Sequence, residues 1–208
     1  MTIQVVEPPT VPELYFWALQ VSFLDGPEVE GAAHLGLQWH PHHPGSTAVN
    51  WGGYRSGGGI LEGSESALPS ALDNPHTRDY PWRGGDPYRL RVYAESPGRW
   101  VGEVTDLAAG EVTGVRTLAG GGGLLGRVMV WSEVFARCDA PPVAVVWSAP
   151  EGLTRSGHQF RPEQYQTNYQ TDSAGGCSNT DSRPLPHGVV QLTSVTRTNP
   201  TGTRLPAV

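Results

Sequence analysis

The sequence contains no lysine, so all fourteen of its basic residues are arginines. Enzymes that form a Schiff base need a lysine amine, and the phosphate-binding loop of nucleotide hydrolases needs a lysine after its glycines. Both classes are therefore excluded. Twenty acidic residues give a formal net charge of -6. Nucleic-acid-binding domains usually carry a clustered basic surface, and we expect no nucleic-acid partner.

Cysteines are also scarce, and no long apolar segment is present. Cys138 and Cys177 are the only two cysteines, and such a pair can be a disulfide in an exported protein or two free thiols in a cytosolic one. The apolar run at residues 14–24 is interrupted by Gln20 and Ser22 and follows no positively charged segment. It predicts neither a signal peptide nor a membrane span. We expect a cytoplasmic chain as it stands, or a secreted one if a leader has been removed, without a membrane partner.

The 27 glycines and 19 prolines are spread along the chain and leave few stretches long enough for a helix. Several segments alternate with the two-residue period of a strand: in residues 32–39, His34 and Gln38 point to one side and Leu35 and Leu37 to the other. Residues 99–118 predict a hairpin with its turn near residues 109 and 110. We predict an all-β fold, an antiparallel two-sheet β-sandwich of the jelly-roll, concanavalin A-like type.

The length of 208 residues fits one sandwich domain. Residues 1–208 are therefore predicted to form a single domain. The irregular residues 149–163 are a possible internal boundary before a C-terminal pair of strands. Residues 55–87 form a second, longer irregular connection, and loops of this length are often functional or mobile.

Four of the seven histidines lie within residues 34–45. His34 and His40 are about 20 Å apart along an extended strand, so they cannot share an ion without a bend. A distant ligand such as His76 or Asp73 leaves a zinc site open, but a polar loop at the rim of a ligand groove is favoured. We predict no metal site and no cofactor. Calcium is possible at four loop residues, although their spacing matches no EF-hand; these are Asp73, Asn74, Asp79 and Asp86.

Glu133 is the main candidate for acid–base chemistry. It lies between Trp131 and Phe135 on one face of a predicted strand, and apolar surroundings can raise the pKa of a carboxyl group. The alternative is a structural ion pair of Glu133 with Arg137 or Arg89. A retaining glycosidase needs a second carboxyl group about 5 Å away, which only another segment, such as Asp106 or Glu103, could supply.

Tryptophan and tyrosine are abundant, with seven of each. Their broad apolar faces and polar edges suit stacking on sugar rings or similar flat ligands. Three tryptophans within apolar strands, Trp17, Trp131 and Trp147, are expected in the core. The predicted ligand contacts, near strand ends or in the long loop, are Trp39, Trp51, Tyr54, Trp82 and Arg89.

Three phrases of the sequence carry a family resemblance: "NWGGYRSGGGILEGSESALPSALDNPHTRDYPW", "VWSEVFARCDAP" and "NYQTDSAGGCSNTDS". With them the chain resembles a group of uncharacterised actinobacterial proteins with a sandwich of the concanavalin-like lectin and glucanase type. The resemblance covers most of residues 14–205. It implies a Cys138 to Cys177 bridge in exported members. The sequence departs from the glucanases of that superfamily because it has no Glu-x-Asp-x-x-Glu strand, which puts glycan hydrolysis in doubt.

The predicted function is ligand binding in an aromatic groove bordered by the histidine-rich loop in the 40s and the loop at residues 55–87. The ligand is expected to be a glycan or another amphipathic small molecule. The alternative is an enzyme in the same groove, a glycan lyase or hydrolase or a small-metabolite cyclase. In it Glu133 is the acid or base, His40 its partner, and Arg137 or Arg89 stabilises negative charge. A third possibility is a partner-binding domain, and the sequence leaves the oligomeric state open.

Overall fold

The computed structural model describes residues 1–154 and 156–207. Strands make up 54% of the chain and helices 3%, so the predicted all-β class is confirmed. The helical residues belong to two short 3-10 turns, Pro44–Ser46 and Asp172–Ala174. No helix among the described residues is long and apolar enough to span a membrane.

The described residues form seventeen strands. In chain order they are β1 (Thr2–Glu7), β2 (Tyr15–Asp25), β3 (Glu28–Trp39), β4 (Thr47–Arg55), β5 (Ser70–Ala71), β6 (Asn74–Asp79), β7 (Pro87–Ser96), β8 (Arg99–Asp106), β9 (Glu111–Ala119), β10 (Leu124–Val134), β11 (Ala144–Ser148), β12 (Gly152–Leu153), β13 (Gln159–Phe160), β14 (Gln164–Gln166), β15 (Asp181–Leu185), β16 (Gly188–Leu192) and β17 (Arg204–Pro206).

The strands belong to two compact units. The first, which we call the cleft unit, comprises residues 12–82 and 88–135. Its larger sheet has six strands in the order β10-β2-β3-β4-β6-β5, and β7, β8 and β9 pair in that order in its second sheet. All of the pairings with a described register are antiparallel. The predicted antiparallel sandwich is therefore confirmed.

The second unit, which we call the disulfide unit, comprises residues 1–11, 83–87 and 136–207. Four of its strands pair in the order β15-β16-β11-β1, and two small antiparallel pairs, β12-β13 and β14-β17, complete it. Cys138 and Cys177 are joined by a disulfide in this unit. The buried carboxylate of Asp181 accepts hydrogen bonds from Arg183, Thr198 and the backbone N–H of Asn199, so it is fully compensated inside the unit.

Alternation of apolar and polar residues produces the core of the cleft unit. One face of β2 and β3 carries Trp17, Leu35 and Leu37, which are all essentially without exposed surface. Trp51 from β4 lies on the same side and donates a hydrogen bond from Nε1 to the carbonyl oxygen of Trp100 at 3.2 Å. Apolar burial on this scale is the main force that holds the two sheets of the unit together.

Close approach in this core requires glycine at one position of β8. A Cβ added at Gly102 would lie 2.5 Å from Cγ of the Trp51 ring, closer than any real carbon contact. Phe23 stacks on Trp100 beside this point, with ring centroids 5.6 Å apart. The aromatic packing of the core therefore depends on the absence of a Cβ at Gly102.

Two details of the fold differ from the sequence prediction. The predicted irregular connection at residues 55–87 contains β5 and β6, and β6 joins the larger sheet through pairing with residues 48–50 of β4. Its sequence, NPHTRD, is polar and contains Pro75, so its strand character comes from pairing with β4 and not from local propensity. The sequence of residues 163–172 also alternates and so predicts a strand, but only Gln164–Gln166 form one.

The hairpin prediction at residues 99–118 is confirmed, since β8 and β9 flank a turn in which Gly110 N–H bonds to the carbonyl oxygen of Asp106 at 2.8 Å. The single domain at residues 1–208 with a possible boundary at 149–163 stays a prediction. Within that stretch the described residues pair β12 with β13, and residue 155 lies outside the described part of the chain.

Candidate functional site

A cleft with a volume of about 360 Å³ lies on the larger sheet of the cleft unit, on the face opposite the core residues Trp17 and Trp51. Four strands, β2, β3, β4 and β10, supply its walls. The lining residues are Phe16, Gln20, Ala32, His34, Tyr54, Trp131 and Glu133.

The strand register explains why these side chains meet. Gln20 is paired with His34, Ala32 with Tyr54, and Phe16 with Glu133. Residues directly opposite in antiparallel strands point to the same face, and so do residues two positions apart. The seven lining residues therefore share one face of four neighbouring strands, although they are up to 117 positions apart in the sequence.

A bulge in β10 adjusts the register at the edge of the cleft. The pairing with β2 shifts between Gly126 and Met129, and Arg127 inside the bulge has a φ of 47°. A bulge of this kind changes the face to which the following side chains point. Beyond it, Trp131 lies opposite Ala18 and Glu133 opposite Phe16, which directs both side chains to the cleft.

Three aromatic rings pack edge to face in the cleft. The centroids of Phe16 and Trp131 are 5.0 Å apart, those of Phe16 and His34 5.5 Å, and those of His34 and Trp131 5.8 Å. Gly36 makes room for this cluster, because a Cβ there would lie 2.8 Å from Cε2 of Phe16. Edge-to-face pairs at these separations are attractive, so the three rings stabilise one another as one wall of the cleft.

Gln20 is oriented by its neighbour on β10. The indole Nε1 of Trp131 donates a hydrogen bond to Oε1 of Gln20 at 3.1 Å. With its carbonyl oxygen engaged, Gln20 offers its amide N–H groups to a bound molecule. The cleft therefore contains a neutral hydrogen-bond donor on the strand next to that of Glu133.

Two titratable groups of the cleft have shifted pKa values. The Glu133 side chain is exposed at the cleft, and the partial burial of its carboxyl group raises its pKa above the usual range. Burial, and then the charge of His76, lower the pKa of His34 to about 4. A carboxyl group disfavoured as an anion exchanges protons nearer to neutral pH, whereas the His34 imidazole is uncharged at neutral pH. The cleft can therefore donate and accept protons through Glu133.

Of the residues predicted to act in catalysis, the structure brings Glu133 to the cleft and leaves the other two elsewhere. His40 follows β3 in the loop before the first 3-10 turn and does not line the cleft. Arg137 belongs to the disulfide unit, where its exposed guanidinium pairs with Asp139 at 3.0 Å. The partner considered for Glu133 is therefore engaged by another carboxylate.

Of the residues predicted to contact a ligand, only one lines the cleft. Tyr54 lines the cleft and is 55% exposed. Trp51 has no exposed surface and Trp82 is 4% exposed, so neither offers its face to a ligand. The Trp82 indole instead donates to the carbonyl oxygen of Gln38 at 2.9 Å and packs against Trp17. Burial in the sandwich is the physical reason that these two side chains are not at the cleft.

Trp39 and Arg89 lie away from the cleft as well. Trp39 is on the opposite face of β3 from His34 and packs edge to face on Tyr15, with centroids 6.2 Å apart. Arg89 is exposed on β7, in the second sheet of the cleft unit. The other carboxylates weighed as partners of Glu133 are engaged: Glu103 pairs with Arg91 at 3.7 Å, and Asp106 caps its own turn.

The clustered histidines form a compact loop. The ring of His40 lies 4.7 Å from that of His42 and 5.6 Å from that of His43, centroid to centroid. Nδ1 of His40 accepts a hydrogen bond from the backbone N–H of His42 at 3.1 Å. Across residues 1–154 and 156–207, no group of three or more His, Cys, Asp or Glu side chains is arranged to hold a metal ion. The possible calcium site at residues 73–86 stays an expectation.

The sequence prediction misses five residues of the cleft: Phe16, Gln20, Ala32, His34 and Trp131. The expectation that Trp131 lies in the core is wrong, because its ring lines the cleft and is only partly buried. One signal for Gln20 was present, since a glutamine interrupts the apolar run at residues 14–24. The alternation of residues 32–39 placed His34 on a face opposite to the core side chains. Neither signal could show that β2 lies between β3 and β10, because the pairing of distant strands is not local information.

No protein-family model matches the sequence, and a search of curated proteins finds no match. Two solved structures resemble the fold. Scytalido-glutamic peptidase, crystallised with a peptide-based transition state analogue, is 14% identical over 93% of this chain and 90% of its own, with a TM-score of 0.51. Aspergilloglutamic peptidase from Aspergillus niger is 15% identical over 87% of this chain and 99% of its own, also with a TM-score of 0.51. The structural likeness at these TM-scores shows a shared β-sandwich fold and, at such low identities, only the fold.

Proposed function

We propose that this protein is a hydrolase that cleaves an amide bond of a peptide in the cleft, with Glu133 as the general base and acid. The observation that carries the proposal is the position of Glu133 in the same cleft as Gln20; partial burial of the carboxyl group, which also raises its pKa, is consistent with this role. The names of the two structural neighbours, both glutamic peptidases, support an acid–base function for a carboxyl group on this fold.

The proposed reaction needs two proton transfers. Ionised Glu133 accepts a proton from water as the water oxygen bonds to the carbonyl carbon of the substrate. Protonated Glu133 then gives this proton to the amide nitrogen as the carbon–nitrogen bond breaks. A general base that becomes the acid of the next step returns to its initial state, and each transfer typically contributes 10²- to 10⁴-fold to the rate.

Gln20 has the role of stabilising negative charge on the carbonyl oxygen. Its amide N–H groups are neutral donors, and Trp131 holds the side chain through the Gln20 carbonyl. A donor that is already oriented costs no reorganisation when charge develops in the transition state. The aromatic wall of Phe16, His34 and Trp131 supplies apolar surface for a side chain of the substrate.

Hydrolysis of an internally quenched peptide library, followed by fluorescence between pH 3 and 8, tests the proposal. We expect Glu133→Gln to lower kcat/KM by about 10²- to 10⁴-fold, since the amide cannot exchange protons. Glu111→Gln is the matched control, because Glu111 is exposed at the β8-β9 turn of the same unit. Equal rates for wild type and Glu133→Gln would contradict the role of Glu133.

A second candidate is binding without turnover, of a carbohydrate-like or other amphipathic small molecule. The exposed ring of Tyr54 at the cleft favours it, because an exposed aromatic face stacks on such ligands. If wild type hydrolyses no peptide of the library, quenching of tryptophan fluorescence by soluble oligosaccharides distinguishes this candidate. Loss of the quenching in Tyr54→Ala would support it.

We also propose that the protein works in an oxidising compartment. The Cys138–Cys177 disulfide supports this location, because disulfides seldom persist in a reducing cytosol. Mass spectrometry after alkylation without reduction, on protein taken from the native host, should find both cysteines unmodified. Alkylation of both would contradict the proposal.

A further inference from the structure

Two arginines of the cleft unit are buried without an ion-pair partner. Arg78 on β6 is 9% exposed and Arg116 on β9 is 8% exposed. The ion pairs formed by residues 1–154 and 156–207 involve other arginines. Arginine is rarely buried to this extent unless a carboxylate compensates its charge, so this pair requires an explanation.

The hydrogen bonds of the two guanidinium groups are incomplete. Arg116 donates from Nη1 to the carbonyl oxygen of Pro75, and the same nitrogen is 3.5 Å from Nδ1 of His76. The Nε atoms of Arg78 and Arg116 are both buried and have no hydrogen-bond partner among the described residues. The missing component is therefore an acceptor, because a guanidinium group has donors only.

The charges of the cluster repel one another. Burial and the charge of Arg78 lower the pKa of Arg116, and Glu65 opposes this without coming within ion-pair distance. Burial and the charges of Arg116 and Arg78 likewise lower the pKa of His76. An uncompensated buried charge is costly, and an anion placed between these groups would remove most of the cost.

Two glycines lie in close contact with the cluster. Gly63 packs on the guanidinium of Arg116, where a Cβ would lie 2.5 Å from Cζ and Nε. Gly52 packs on His76, where a Cβ would lie 2.6 Å from Cγ of the ring. Gly52 is paired with His34 of the cleft, so the cluster borders the cleft wall.

We propose that Arg78, Arg116 and His76 form a binding site for the carboxylate group of a ligand. The Nε–H of a guanidinium and its neighbouring terminal N–H are parallel donors that match the two oxygens of a carboxylate. The Nε atoms of both arginines lack a hydrogen-bond acceptor in the described part of the chain, so each guanidinium group has an edge of this type that is not fully paired. The site requires no hydrolytic step, so it stands or falls separately from the proposed function.

Acetate is the probe, with acetamide as its neutral isostere, at constant ionic strength maintained with sodium chloride. We follow the Nε–Hε resonances of the arginines in ¹⁵N-labelled wild-type protein by NMR. We expect saturable shifts for Arg78 and Arg116 with a midpoint of about 10 mM acetate, a free energy of the size that one small charged group provides. Acetamide should produce no such shifts.

Variants identify the residues responsible. Arg116→Gln and Arg78→Gln should each weaken acetate binding by at least tenfold, whereas Arg89→Gln, an exposed arginine of the same unit, should leave it unchanged. Arg78→Lys keeps the charge and tests the guanidinium geometry if Arg78→Gln does not fold. Absence of saturation at 100 mM acetate in wild type, or equal shifts with acetamide, would overturn the proposal.

Discussion

Trp131 on β10 donates a hydrogen bond to Gln20 on β2, with 3.1 Å between Nε1 and Oε1. This bond joins the strand that carries Glu133 to the strand at the centre of the cleft. It also decides which end of the Gln20 amide is available, because the carbonyl oxygen is occupied. The catalytic role proposed for Gln20 depends on this orientation.

Replacing Trp131 with phenylalanine keeps an aromatic ring and removes the donor. We expect Trp131→Phe to lower the free energy of unfolding by about 1 kcal/mol, the usual contribution of one hydrogen bond. Peptide hydrolysis should fall mainly in kcat, because Gln20 then loses its orientation in the transition state. Urea unfolding and steady-state kinetics on the variant measure the two effects; an unchanged kcat would show that the orientation of Gln20 is unimportant.

Glu133 should make stability depend on pH in a defined direction. Its pKa is raised in the folded state. Its contribution to the free energy of unfolding is therefore fully present below the pKa that Glu133 has in the unfolded chain, and it is lost as pH rises through the pKa of the folded state. We expect Glu133→Gln to match wild type in acid and to be more stable than wild type at neutral pH. Thermal unfolding across pH tests this, with Glu111→Gln as the control. A Glu133→Gln variant less stable than wild type at neutral pH would contradict the idea that the ionised carboxyl group of Glu133 destabilises the fold.

His34 should act in the opposite direction. Its pKa falls from 6.5 to about 4 on folding, so its contribution is present above pH 6.5 and is lost as pH falls through 4. This difference in pKa corresponds to at most about 3 kcal/mol in the free energy of unfolding. His34→Phe should show a weaker loss of stability over this interval, and NMR titration of the ring protons measures the pKa. A value near 6.5 would contradict the burial of the imidazole.

The contact between Trp51 and Gly102 predicts a local failure of packing. We expect Gly102→Ala to lower the free energy of unfolding by about 1–3 kcal/mol, because the methyl group overlaps the Trp51 ring. Gly114→Ala on the neighbouring strand is the matched control, since a Cβ there meets no atom within 4 Å. Guanidinium unfolding of both variants gives the comparison, and equal stabilities would show that the core can absorb the methyl group.

Much of the fold could be predicted from local sequence. The alternation around His34 and the turn near Gly110 carry their own strand and hairpin signals, and the structure has both. The strand β6 could not be predicted in this way, because its polar sequence becomes a strand only by pairing with β4. The two cysteines alone leave the choice between a disulfide and free thiols open, and only the family resemblance implies the Cys138–Cys177 bridge.

The cleft was harder to predict than the fold. The chemistry of Glu133 and Tyr54 predicts both as site residues, and both line the cleft. The aromatic rings of Trp51 and Trp82 predict ligand contacts in the same way as the ring of Tyr54, but aromatic side chains fill cores as readily as ligand sites. The distinction depends on which face of a strand meets the second sheet, a tertiary property. Gln20 and His34 belong to the site because of strand pairing, which cannot be predicted from the local sequence.

The dependence of kcat/KM on pH is the most direct test of the account. For wild type hydrolysing a quenched peptide, kcat/KM should rise with pH through the pKa of Glu133. An independent titration by ¹³C NMR of the Glu133 carboxyl carbon should give the same pKa, above the ordinary value for glutamate. Glu133→Gln should lose this limb together with most of the rate. Peptide hydrolysis that keeps the same limb in Glu133→Gln would assign the acid–base group to another residue and contradict the account.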